Sequence, residues 1–168
     1  MSQPWLEDKE YMSHVQELLK AQIVQNLENF VHHHYSNRLK HSLNVSYTSF
    51  KIAKKLNANA RSVARAGLLH DLFFYNRREL KNEDKGHAYT HARIAVYNAE
   101  QITELSDLEK DIILKHMWGA TLAFPRYKES YIVTLVDKYC AIKEGIYPLL
   151  MKWRQRKIFK RNREVVAS

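Results

Sequence analysis

An all-α helical bundle is the fold class this sequence predicts, and three observations carry the expectation. Only four Gly and three Pro interrupt 168 residues, which leaves few points for tight turns. Apolar residues recur at three- and four-residue spacing through most of the chain, the period of one helical face. No segment shows the strict alternation of a half-buried strand. A composition of 45% hydrophobic and 27% charged residues belongs to a globular chain with a sizeable core, and the length suits one domain. About six to seven helices are expected, in a compact bundle.

In residues 6–31, Tyr11, Val15, Leu18, Leu19, Ile23, Leu27 and Phe30 form one stripe and predict a first helix. A second, over 38–56, carries Leu39, Leu43, Tyr47, Phe50 and Ala53 and stops at Asn57-Ala58-Asn59, where Asn59 can cap the next helix. The third, 60–74, holds Val63, Ala64, Gly67, Leu68 and Leu69 and is expected to be central and buried. Residues 75–86 are polar and read as an exposed connection. A helix restarts after Thr90, and Ser106-Asp107-Leu108-Glu109 has the capping-box form that opens another. Gly119 and Pro125 break the chain within 118–127. Ile132, Leu135, Val136, Tyr139 and Ile142 then mark a helix over 128–146, and Pro148 is expected to open a separate last one. The resulting division is an N-terminal helix (1–31) packed on a core (32–147), with a basic helix and tail (148–168) after it.

The formal charge of +9 implies attraction to anions, whether a phosphorylated small molecule, nucleic acid or a membrane surface. The charge does not choose among these, since much of the excess sits in MKWRQRKIFKRNRE, a pattern suited to a solvated helix face; a phosphorylated small-molecule partner, with nucleic acid not favoured, is expected from the chemistry of the residues below. No window approaches the roughly 18 apolar residues of a membrane span, so no membrane partner is expected. The start, MSQPWLEDKEYM, lacks an apolar signal core, so a cytoplasmic location is expected. The single cysteine, Cys140, excludes an internal disulfide and reads as a core residue. A glycine-rich phosphate loop, a GxSxG elbow and a CxxC pair are all absent from the sequence.

Chemistry is concentrated in the nine histidines. In GLLHDLFF, His70 and Asp71 stand together inside an apolar run, where an unpaired carboxylate is costly. Asp71 is either a helix-terminal acid bonded to a local amide or part of a polar site. His41 in HSLNVSY and Asp137 in TLVDKYCA each interrupt an amphipathic helix without being needed for packing. Each alone is ambiguous, but the ordered set His, His-Asp, Asp is far more specific than its parts.

That set, with the segments HSLNVSY, ARAGLLHD, GHAYTH, IILKHMW and VDKYCAIKE, closely resembles the HD superfamily of metal-dependent phosphohydrolases, in particular its small bacterial members. The resemblance covers about 32–146. It implies a helical bundle whose ligands converge from several helices: His41, His70, Asp71 and Asp137 for one metal, with His91 and His116 added for two. Asp71, with an oxygen for each ion, is implied as the catalytic bridge. Nitrogen and oxygen donors suit Fe, Mn, Zn or Co, and the expected cofactor is a pair of such divalent ions. Ions so held acidify water and neutralise phosphoryl oxygens.

His87, four residues before His91, reads as a ligand, a catalytic proton donor or a loop residue. Lys138, Arg77 and Arg78 are expected substrate clamps, with ordinary surface charge the alternative. His32, His33 and His34 either line the pocket or form an exposed polar turn. The chain departs from many catalytic relatives at Leu72-Phe73-Phe74-Tyr75, where those carry Lys or Glu. The implied activity is hydrolysis of a nucleotide phosphate ester or anhydride, for example in a dinucleoside polyphosphate. The alternatives are a di-iron oxygenase and a non-catalytic nucleotide- or RNA-binding module.

Overall fold

The computed structural model describes residues 3–33, 36–75 and 86–166. Among them, eight α-helices build the expected all-α bundle: α1 (Pro4–Glu7), α2 (Lys9–Lys20), α3 (Gln22–Gln25), α4 (Arg38–Lys55), α5 (Ala60–Leu69), α6 (Gly86–Glu100), α7 (Asp107–Lys115) and α8 (Lys128–Val166). The core gathers Val15 and Leu18 of α2, Val45 and Phe50 of α4, Val63 and Leu68 of α5, Ile112 and Ile113 of α7, and Val133 and Val136 of α8. The central element is α5, where every residue from Ser62 to Leu69 is buried. No described helix is long and apolar enough to cross a membrane.

The helix starts follow the capping chemistry of the sequence. Asn59 accepts from the Ser62 amide at 3.0 Å, and Asn37 caps α4 through the Lys40 amide at 2.8 Å. Ser106 and Glu109 form the reciprocal capping box of α7. Glu109 also receives Arg65 Nε at 2.7 Å, so one carboxylate both starts α7 and ties it to α5. This ion pair is buried, and removing one partner leaves an uncompensated charge.

Five expectations about elements need correction. The stripe over 6–31 is not one helix: Ala21 turns to extended backbone (ψ 124°), giving α2, α3 and a 3₁₀ turn at Asn26–Asn29. Tyr11, Val15, Leu18 and Leu27 are still in the core with Leu19 and Ile23 packed against it, so periodicity survived the break that it could not reveal. A short antiparallel pair, β1 (Val31–His33) and β2 (Ser36–Asn37), stands where no strand was expected. The third helix ends at Leu69 rather than 74, with His70 as its C-cap, and α6 begins at Gly86, ahead of Thr90.

Finally, Pro148 opens nothing. α8 runs unbroken for 39 residues, because proline's fixed φ is helical and its missing N–H removes only one hydrogen bond from a long ladder. The basic C-terminal segment is thus an extension of the helix that carries Asp137.

Among the described residues, α4 and α5 make the most extensive helix contact. Ser46 Oγ accepts from the buried Tyr11 hydroxyl at 2.8 Å and donates to the Ala64 carbonyl at 2.6 Å. Gly67 faces Ser46 directly, and a Cβ at that position would lie 3.0 Å from Ser46 Cα. Glycine at 67 therefore sets the distance between the helix bearing His41 and the helix bearing His70.

Candidate metal centre

Five helices bring the polar cluster together. His41 lies in the first turn of α4, His70 caps α5 and Asp71 comes directly after it, His91 is in α6, His116 caps α7, and Asp137 is in α8. All six are buried: His41, His70, His91 and His116 are among the largest fully enclosed side chains, and the two aspartates are nearly so. The ring centroids of His70 and His116 are 4.9 Å apart, those of His91 and His116 4.8 Å, and those of His41 and His70 5.5 Å.

Helix backbone orients three of these rings. Nδ1 of His70 donates to the Gly67 carbonyl at 2.8 Å, that of His91 to the His87 carbonyl at 2.6 Å, and that of His116 to the Ile113 carbonyl at 2.7 Å. A carbonyl only accepts, so the proton of each neutral ring sits on Nδ1 and Nε2 keeps its lone pair. The three Nε2 atoms then point at shared carboxylates. His91 and His116 lie 3.5 and 3.7 Å from Asp71 Oδ1. His70 lies 3.7 Å from Asp71 Oδ2 and 3.7 Å from Asp137 Oδ1.

His41 is held differently. Its Nε2 is 3.0 Å from Asp137 Oδ1, and its Nδ1 is 3.3 Å from both oxygens of Glu144. Burial pulls the His41 pKa down, but the hydrogen bonds to Asp137 and Glu144 outweigh it and push the imidazole up to about 10. Burial likewise opposes ionisation of Asp137, yet the hydrogen bond from His41 and the His70 imidazole 3.7 Å away hold its carboxyl well below the usual range. For His116, burial and then the neighbouring His70 and His91 depress the imidazole to about 3.

These features test whether a cation fits. The Nε2 atoms of His91 and His116 face each other at 2.8 Å, and with both Nδ1 atoms committed to carbonyls the two lone pairs repel unless a positive species lies between them. A proton is disfavoured there by the depressed His116 pKa. His70 Nε2 is buried with no hydrogen-bond partner, a costly state in the absence of a ligand. Three overlapping sets, His41–His70–Asp71, His70–His116–Asp137 and Asp71–His91–His116, each bring one donor atom per residue within 4.8 Å of the others. The donors are imidazole and carboxylate throughout, so the residues fit divalent transition metals. Asp71, His70 and His116 each belong to two of the sets, and of these three only Asp71, with two oxygens, can serve two ions at once.

Of the remaining sequence candidates, His87 stands beside the cluster. Its ring stacks on His91 at 4.5 Å, its Nδ1 is 3.3 Å from the Tyr75 hydroxyl, and its carbonyl orients His91. Lys138 Nζ donates to the Trp118 carbonyl at 2.7 Å and reaches the His116 carbonyl at 3.5 Å, bracing the chain after His116. Arg77, Arg78 and His34 lie outside the described residues. The backbones of His32 and His33 belong to β1. Cys140 is buried, which pushes its thiol up to about 12 and leaves it unreactive.

Two participants were missed in the sequence. Glu144 is seven residues after Asp137, two turns along the same face of α8, and that spacing was the available signal. Arg38, three residues before His41, is buried with its guanidinium 3.6 Å from the Phe73 ring centroid, and it donates to the carbonyls of Phe73 and Tyr75. It pins the segment after Asp71. Burial lowers its pKa, and the charge of Asp71 opposes that shift.

The depressed His116 pKa has a consequence for acid stability. In metal-free protein the native ring stays neutral below its unfolded pKa near 6.5, while the unfolded chain takes up a proton. Stability from this group is therefore complete above pH 6.5 and is lost as pH falls toward 3. His41, raised to about 10, stays protonated in the native state across this range while the unfolded chain gains its proton near 6.5, so its contribution grows as pH falls from 7 to about 6 and is constant below that. Against its burial, His70 is raised like His41 by the neighbouring Asp71 and Asp137, so the His116 effect is read as a difference: the urea midpoint of chelator-treated wild type is expected to fall relative to that of His116→Gln protein as pH drops from 7 to 5.

Residues 38–142, well over half of the chain, match the family model described as HD domain. Comparison with curated proteins and with solved structures gives no match.

Proposed function

The chain belongs to the HD-domain family, and from that membership and its buried histidine–carboxylate centre we propose that it is a metal-dependent phosphohydrolase. Its proposed substrate is a phosphate ester or anhydride of a nucleotide, such as a dinucleoside polyphosphate. The observation that carries the reading is the convergence of the Nε2 atoms of His70, His91 and His116 on Asp71, with every Nδ1 tied to a helix carbonyl. Imidazoles anchored through one nitrogen and bare at the other are the arrangement of metal ligands.

In this reading His41, His70, Asp71 and Asp137 hold one ion, and His91 and His116 with Asp71 hold a second, each Fe, Mn, Zn or Co. Such ions, when bound, acidify water at neutral pH and offset charge on phosphoryl oxygens. The chain's own groups supply the rest. Glu144 accepts the Nδ1 proton of His41 and so would hold the ring with Nε2, now donating to Asp137, turned to face an ion once that second proton is lost. Phe73 and Tyr75, fixed by Arg38, wall one side of the centre and limit water. His87, half-buried and paired with the Tyr75 hydroxyl, is placed to pass a proton to a leaving oxygen. Lys138 holds the chain after His116 in position, and Arg77 and Arg78, which follow Tyr75-Asn76 in sequence, are the proposed source of charge for substrate phosphates.

The test is metal analysis of purified protein paired with phosphate release from a panel of mono- and dinucleotides, before and after chelation and metal return. Metal-dependent phosphate release supports the reading. Stoichiometric iron with substrate-dependent oxygen uptake and no phosphate release would replace it with an oxygenase. Salt-sensitive RNA binding without turnover would replace it with a binding module.

Glu144→Gln gives a separate check. Gln keeps the shape but presents no carboxylate to His41 Nδ1, and residues in that supporting position typically alter metal affinity by about 10- to 100-fold. A loss of that size in a competition titration with a chelator is expected, with helicity retained. Wild-type affinity would show that His41 does not depend on Glu144.

A further inference from the structure

The apolar residues of α8 that the sequence reads as one set divide between two faces. Ile132, Val133, Val136 and Cys140 are buried in the core, whereas Leu135 (59% exposed), Tyr139 (57%), Ile142 (60%) and Ile146 (46%) stand in a row on the outer side. Their spacing is four, three, four, and Leu149 and Trp153 extend it in sequence by three and four. This is the a/d pattern of a coiled coil, with Leu135 and Ile142 at d and Tyr139 and Ile146 at a. Asp137 and Glu144 both fall at f, opposite the seam, so the metal centre and the exposed row occupy opposite sides of one helix.

We propose that this row is a dimer interface, at which a second copy of this chain packs antiparallel along α8. Three features identify the occupant. First, a single stripe with heptad spacing is self-complementary, as a two-fold contact requires. At 1.5 Å per residue the seam from 135 to 153 runs for about 27 Å. With its flanking side chains it covers an area on the order of 800 Å² per copy, the size of a standard stable interface.

Second, charge decides the direction. Residues 128–146 balance Lys128, Lys138 and Lys143 against Glu129, Asp137 and Glu144, whereas 147–166 carry seven Lys and Arg against Glu164 alone. A parallel pair would press the two basic ends together, while an antiparallel pair holds them at opposite ends.

Third, the antiparallel register that sets d against a places 142 opposite 146, 139 opposite 149 and 135 opposite 153, with its centre at residue 144. Gly145 adjoins that centre. A Cβ there would meet nothing within 4 Å, so packing within one copy does not demand glycine, although glycine inside a helix costs about 1 kcal/mol relative to alanine. At the centre of the register it lets the two backbones approach closely.

The experiment is sedimentation equilibrium of the full-length, metal-loaded protein, wild type against the double variant Ile142→Glu/Ile146→Glu, with circular dichroism and metal content as controls on folding. Wild type is expected at twice the chain mass at micromolar concentration. The variant is expected at the single-chain mass, its dimer dissociation constant raised at least 100-fold, with helicity and metal unchanged.

Direction is read from disulfide formation in a Cys140→Ala background. An equimolar mixture of Ile142→Cys and Ile146→Cys chains should cross-link faster than either alone. A monomeric wild type, a dimer indifferent to the double variant, or faster self-linking of Ile142→Cys would each overturn the proposal. So would a wild type that stays monomeric and uses the row to bind anionic vesicles or RNA. None of these outcomes bears on phosphate release, so this proposal and the hydrolase reading fail independently.

Discussion

Asp71→Ala protein is expected to keep its helical content and to lose both bound metal and phosphate release, the latter by roughly 1,000-fold or more. That exceeds the 10- to 100-fold typical of residues that only support a ligand. The reason is position: among the described residues, Asp71 is the one carboxylate facing His70, His91 and His116 together, and it belongs to two of the three donor sets. Removing it takes an anionic donor from both halves of the centre at once.

The fold should survive, because the segment around Asp71 is anchored by Leu68, Leu69 and Leu72, all fully buried, and by Arg38 on the carbonyls of Phe73 and Tyr75. Asp71→Asn separates charge from shape, since it fills the same space without the negative charge and should lose metal nearly as fully. Wild-type metal content and turnover in either variant would remove Asp71 from the site.

Gly67→Val should be the most damaging single change to the fold that leaves every polar residue in place. The added Cβ meets Ser46 Cα at 3.0 Å and Ser46 N at 3.4 Å. These are backbone atoms that cannot rotate away, so α4 and α5 must separate. Overpacking of this kind costs about 1–3 kcal/mol, and the urea midpoint should fall accordingly.

The same shift moves His41 relative to His70, whose Nδ1 is bonded to the Gly67 carbonyl itself. Metal affinity should therefore fall together with stability, although residue 67 touches no metal. A Gly67→Val protein with wild-type urea midpoint and metal affinity would mean that the helix crossing is looser than its geometry states.

Some of this was legible in the sequence because it depends on local chemistry. Helix periodicity and caps at Asn59 and Ser106 are local, and α4, α5 and α7 start where the sequence places them. Part of the cluster was also legible, since a histidine or aspartate set into an apolar helical stripe stands out at positions 41, 70, 71 and 137, whereas positions 91 and 116 followed only from the family resemblance. Where local signals are silent, the reading failed. Nothing in residues 6–31 marks Ala21 as the break, and Pro148, a helix breaker by rule, is carried inside α8.

What only the tertiary structure decided is which groups meet. Glu144 and Arg38 look like ordinary surface charges until α4, α5 and α8 close over them. The protons of three imidazoles are placed on Nδ1 by carbonyls of their own helices, and the 2.8 Å approach of His91 and His116 joins residues 25 apart in sequence. Sequence by itself determined an all-α chain bearing a histidine–aspartate set, because periodicity, capping and residue chemistry act within a few residues. Packing decided the buried donor geometry and the exposed row on α8, because both depend on which face each helix turns to its neighbours.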